Sequence, residues 1–159
     1  MPSNTIFSYY SLSLFINKSP LLKKTHMKKI IQEKGEMIIG TWTLNCIPFD
    51  SSKFLGKLFV TSNSLYFDAQ FDSSLSGLLK SLVTSAVVES GHSLLVASSI
   101  LEDWKGKGYM VVDKKTIKNI EEKSSFFKKT VVLTLEDDSK IVFDYGLLSV
   151  KKLAEAIKQ

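Results

Sequence analysis

The sequence predicts a mainly β protein with α-helices, an α+β chain. About seven short antiparallel strands are closed by one C-terminal helix, and a helical insertion follows the third strand. Three observations predict it. Residues 56–71 and 131–145 each alternate apolar with polar side chains about a short polar turn, the period of a hairpin buried on one face. Leu147, Val150, Leu153, Ala154 and Ile157 recur at helical spacing near the C-terminal end. Leu75, Leu78, Leu79, Leu82, Val83, Ala86 and Val87 form a second helical stripe between the two hairpins.

Taken in order, residues 1–26 are the least domain-like. They are rich in Ser and aromatics, lack a clean period and contain Pro2 and Pro20. No Lys precedes the apolar run from Ile6 to Ile16, so the pattern of a secretory signal is missing, and the run is too short to span a bilayer. These residues read as a tail, either disordered or translated upstream sequence, with Met27 opening a single domain over 27–159. Met27, Ile30, Ile31 and Lys34 share a helical face that Gly35 ends. Residues 36–44 follow as a strand with Ile38, Trp42 and Leu44 on one side, and residues 46–55 read as a loop.

The hairpin over 56–71 places Leu58, Val60, Leu65, Phe67, Ala69 and Phe71 inward and Tyr66, Asp68 and Gln70 outward, turning on Ser62, Asn63 and Ser64. Residues 73–104 are the insertion, a helical pair broken at Gly91, His92 and Ser93. Residues 103–108 read as a loop. Short strands follow over 109–112 and 116–123, the second with Ile117 and Ile120 out of period, as a bulge produces. Residues 124–129 turn the chain. Val131, Leu133 and Leu135 then pair across the turn at Asp137, Asp138 and Ser139 with Ile141, Phe143 and Tyr145.

The net charge of +5 is not spread evenly. Residues 1–35 hold six Lys and one acid, whereas residues 36–159 hold 15 Lys and 15 acids, so the body is neutral. All 21 cations are Lys. Bidentate recognition of phosphate and base edges favours the planar Arg fork, so its absence argues against nucleic acid as a partner. The single Cys46 excludes an intrachain disulfide and reads as a small buried hydrophobe in a reducing, cytoplasmic compartment.

The order of elements, with particular residues in it, resembles the GRAM and bacterial PH-like domains of the pleckstrin-homology superfold. Gly56-Lys57-Leu58-Phe59-Val60-Thr61-Ser62-Asn63-Ser64-Leu65-Tyr66-Phe67 is similar to the family's G-x-L-y-V-T-n-x-x-L-x-F hairpin. Ile117-Lys118-Asn119-Ile120 resembles its I-x-x-I strand, and residues 131–143 resemble its second hairpin, followed by the closing helix. The resemblance spans residues 36–71 and 105–158. It implies a partly open antiparallel barrel and a non-catalytic binding module for membrane lipid or a protein partner. Phosphoinositide-binding PH domains carry a basic cluster, commonly with Arg, in the first strand–strand loop. Here Lys53 and Lys57 are the only cations near that loop, and they meet a phosphate as point charges.

Candidate sites follow from residue type and spacing. Catalysis finds no convergent set: the two histidines, His26 and His92, are isolated in sequence, and no cofactor or metal is expected. Lys105-Gly106-Lys107-Gly108 lacks the spacing of a phosphate loop and reads as a turn. Glu121, Glu122, Asp137 and Asp138 read as solvated turn charges. Lys105, Lys107, Lys114, Lys115, Lys128 and Lys129 are the candidate contacts to anionic lipid if their loops share one end of the barrel; otherwise they are a scattered solvated surface. The stripe of Leu75, Leu78, Leu79, Leu82, Val83 and Val87 packs on its own sheet, forms a homo-oligomer surface or lies in a membrane interface. Trp42 is expected in the core and Trp104 against a loop. The leading expectation is a cytoplasmic module, soluble or peripheral to a membrane, that binds anionic lipid or a protein partner. The alternative is an interaction protein oligomerising through 75–87.

Overall fold

A computed structural model describes residues 20–49, 51–70 and 95–159. The chain divides into two compact units, Met1–Met37 and Ile38–Gln159. In the first, helix α1 (Pro20–Glu33) starts seven residues before the expected Met27. Proline suits a first helical position, where its missing N–H is not needed. His26 is therefore helical and exposed rather than part of a loose tail. Among its described side chains, Met27 and Ile31, one turn apart, are the buried ones. Gly35 ends the helix at φ 72°, with its N–H donated to the Gln32 carbonyl at 2.9 Å and that of Glu36 to Ile31 at 3.2 Å.

The second unit holds a seven-stranded sheet in which every pair is antiparallel. Its strands are β1 (Ile38–Pro48), β2 (Phe54–Thr61), β3 (Ser64–Ala69), β4 (Met110–Asp113), β5 (Ile117–Ser124), β6 (Lys129–Leu135) and β7 (Lys140–Asp144). Helix α2 (Leu95–Lys107) precedes β4, and α3 (Lys151–Lys158) ends the chain. The strand order is β4-β3-β2-β1-β7-β6-β5, so β1 is central and β4 and β5 are the edges. Helix α3 packs against β5, β1 and β2. In a flat sheet β2 and β5 would lie four strand spacings apart, about 19 Å. A helix is only about 10 Å wide. The sheet therefore curls round α3, and one core forms from Leu44, Leu58, Phe67, Leu133, Phe143 and Leu153.

Both expected hairpins are present, as is the irregularity in β5, where the register shifts between Ile117 and Asn119. Gly56 is required where β2 meets β3: a Cβ there would strike the Asp68 carbonyl and lie 2.9 Å from the Ala69 Cα.

Four expectations are corrected. Residues 46–48 are strand, not loop, because Cys46 and Pro48 pair with Phe143 and Ile141 of β7, a partner remote in sequence. The turn begins at Phe49, at φ 54°. Tyr66 faces outward on β3 yet is fully buried, opposite Phe59 on β2 and 6.3 Å from the ring of Tyr109. Residues 103–107 are the end of α2, not a loop. They are held helical by Trp104, which is buried with its ring edge-on to Phe54 at 5.5 Å and Phe67 at 6.1 Å. Gly108, at φ 83°, ends that helix by donating to the Trp104 carbonyl. Trp104 is thus a core residue, while Trp42 is half-buried, its ring over the bare face of Gly40.

Candidate functional site

The six candidate lysines fall into three pairs. Lys105 and Lys107 occupy the last turn of α2, where cations complement the exposed carbonyls. Lys107 also pairs with Asp103 one turn back at 3.0 Å. Lys114 and Lys115 lie in a single 3-10 turn (Lys114–Thr116), capped by the Asp113 carboxylate, which accepts from the Lys115 N–H. Strand β4, about 13 Å long at 3.3 Å per residue, separates these two pairs. Lys128 and Lys129 close the β5–β6 turn.

The 3-10 pair borders an open cleft of about 420 Å³ between the β2–β3 turn and the end of α3, lined by Ser62, Asn63, Ile120 and Lys158 among others. The Lys114 ammonium is committed there, donating to the Ala156 carbonyl at 3.1 Å. Lys158 lies 3.9 Å from Glu122. Lys115 is exposed at the rim of this cleft.

The Lys128–Lys129 corner is built differently. Phe143 turns into the core, so strand alternation sends the next side chain, Asp144, to the opposite face. There it is nevertheless buried, 5% exposed. The Lys53 ammonium is 3.1 Å from its Oδ2 and that of Lys128 is 3.7 Å away, while the Gly146 N–H donates to Oδ1 at 2.9 Å. Burial alone would push this carboxyl up. The Gly146 amide, the Lys53 hydrogen bond and the charges of Lys53 and Lys128 outweigh burial and hold it below the ordinary carboxylate range. Asp144 thus fastens the β1–β2 loop, the β5–β6 turn and the β7–α3 turn together. The backbone adds to the fastening: Lys129 donates to the Gly146 carbonyl at 2.8 Å and Tyr145 donates to the Lys129 carbonyl at 3.1 Å. Asn45 of β1 registers with Asp144, seven residues along from Ile38, which registers with Thr61 beside the β2–β3 turn. This corner and the Lys114–Lys115 cleft are therefore on the order of 20 Å apart along β1.

No protein-family model matches this chain, and no curated protein matches it. A solved structure is similar: the C-terminal domain of an unknown protein from Leishmania infantum. The likeness has a TM-score of 0.54 at 13% identity and covers 87% of this chain and 96% of that one. It concerns the fold alone.

Two features of the Asp144 corner escaped sequence reasoning. Lys53 joins it across 91 residues of chain. The β5–β6 turn also carries Phe126 and Phe127, exposed by 87% and 77%. The signal was available: two successive aromatics in a turn, where small polar residues are the rule. The candidate stripe of Leu75, Leu78, Leu79, Leu82, Val83 and Val87, together with His92, lies outside the described residues. No described helix is long and apolar enough to cross a membrane. Cys46 is buried, as its residue type suggested, and burial pushes its thiol up.

Proposed function

We propose that residues 38–159 form a PH-like module of the GRAM type, a partly open barrel closed by α3, that docks without catalysis on an anionic membrane surface. One observation carries this reading. Lys53 and Lys128 converge on the single carboxylate of Asp144, with Lys129 next in the chain, so the corner holds three cations against one acid and keeps a net positive charge. Lys151 and Lys152 are exposed at the start of the adjacent α3 and add to the same sign. The curled antiparallel sheet with a C-terminal helix supports the fold part of the reading.

The test is flotation of the full chain with phosphatidylcholine vesicles, with and without phosphatidylserine. A Lys near an anionic surface contributes about 1 kcal/mol. Lys128→Gln with Lys129→Gln therefore weakens anionic-vesicle binding by roughly thirtyfold at low salt. Lys114→Gln with Lys115→Gln, at the cleft about 20 Å away, costs markedly less. Equal loss in both double variants would sink the assignment to this corner.

A further inference from the structure

We infer that the β5–β6 turn is a membrane-inserting tip: Phe126 and Phe127 enter the headgroup–acyl boundary of an anionic bilayer while Lys123, Lys128 and Lys129 stay at phosphate level. This rests on the membrane-docking reading above and names the part of the surface that enters the lipid.

Four observations carry it. The two rings are the most exposed large apolar side chains among the described residues, and they stack edge to face with centroids 4.8 Å apart, one apolar wedge rather than two stray side chains. The backbone beneath them is already ordered. Ser125 donates its N–H to the Lys128 carbonyl at 2.8 Å and its hydroxyl to the same oxygen at 3.1 Å, so insertion does not have to fix a loose loop first. A second exposed apolar turn, Leu147 and Leu148 at 70% and 59%, is tied to the base of the wedge by the Lys129–Gly146 hydrogen bond. Finally, residues 123–135 contain three lysines and no acid. Lys123 approaches Glu121 at 3.8 Å, and Lys128 shares the buried Asp144.

These features fit a fluid anionic surface better than a protein partner. The apolar groups stand at the tips of two turns, flanked by cations. A bilayer accepts such a wedge in any orientation about its normal. Depth is limited, because the amides at the tip need water or headgroups, which places the rings roughly 5–10 Å into the boundary.

The experiment uses the full chain with vesicles of phosphatidylcholine alone and with phosphatidylserine. Each Phe→Ser is expected to weaken anionic-vesicle affinity about tenfold, and Phe126→Ser with Phe127→Ser about a hundredfold, with the thermal midpoint unchanged because neither ring is in the core. A Phe126→Cys variant, labelled with an environment-sensitive dye while Cys46 stays buried, is expected to shift to the blue on binding and to be quenched by acyl-chain bromines. Wild-type binding that survives the double serine variant, with no shift of the dye, would overturn insertion and leave electrostatic docking standing. No wild-type binding to either vesicle would overturn both readings. The same holds if light scattering instead shows self-association that the serine variant abolishes, which would assign the wedge to a protein contact.

Discussion

Asp144 shows how one residue acquires a role that its place in the chain does not announce. In sequence it is the acid after Phe143 in an alternating strand, which reads as a solvated outer position. Its burial arises from the lysine stems and turns gathered over it, contributed from residues as distant as Lys53. Because its folded carboxyl lies below the unfolded value of about 3.9, its contribution is fully present above that value and is lost as pH falls through the folded one. Asp144→Asn is expected to lower stability at pH 7 by about 1.5–3 kcal/mol, the range for hydrogen bonds to charged groups. It should also flatten the decline of the wild type below pH ~5. Urea titrations of both proteins at pH 7 and at pH ~2 measure the two effects; a pH dependence identical in the two proteins would sink the assignment.

Elements were legible in proportion to how local their causes are. The hairpins β2–β3 and β6–β7 and helix α3 follow from periods of two and 3.6 within one segment. The C-terminal half of α2 does not, since Gly106 and Gly108 read as a loop until Trp104 is seen held by Phe54 and Phe67, at least 37 residues away. The same helix receives a cap from outside itself: Asp137, in the β6–β7 turn, accepts from the Ala97 N–H at 2.9 Å. Its other oxygen takes the Ser139 N–H and hydroxyl. A pair of turn acids that looked merely solvated therefore contains one that bonds a helix end, while Asp138 is exposed and pairs with Lys118. Asp137→Ala is expected to cost about 1 kcal/mol. Hydrogen exchange should quicken at Ala97 while Leu133 in β6 stays slow. Uniform acceleration through the core would count against a capping role.

At the scale of the whole molecule, the decisive contact is β1 with β7, which joins residues nearly a hundred positions apart, such as Cys46 and Phe143. No local pattern encodes that pairing, which is why β1 was expected to stop short and why the Lys128–Lys129 corner was not separable from the other lysines. Cys46 sits on this seam, registered with Phe54 on one side and Phe143 on the other, and is wholly buried. Its thiol is expected to resist an aromatic disulfide reagent at pH 8 until the central strand separates. The reaction should therefore track global unfolding, with a midpoint in urea that coincides with loss of circular dichroism. Labelling well before that midpoint would show that β1 opens locally.

The outermost strand of the order has a consequence of its own. Among the described residues β5 is an edge whose outer row of backbone amides and carbonyls has no sheet partner, and such a row invites another chain to add itself. Along that strand Lys118, Glu121, Glu122 and Lys123 are exposed, and between Ile117 and Asn119 the register breaks. An incoming strand would have to strip water from four charges and match a kinked ladder. Such an electrically fenced border disfavours growth of concentrated protein into fibres through the β5 side of the sheet.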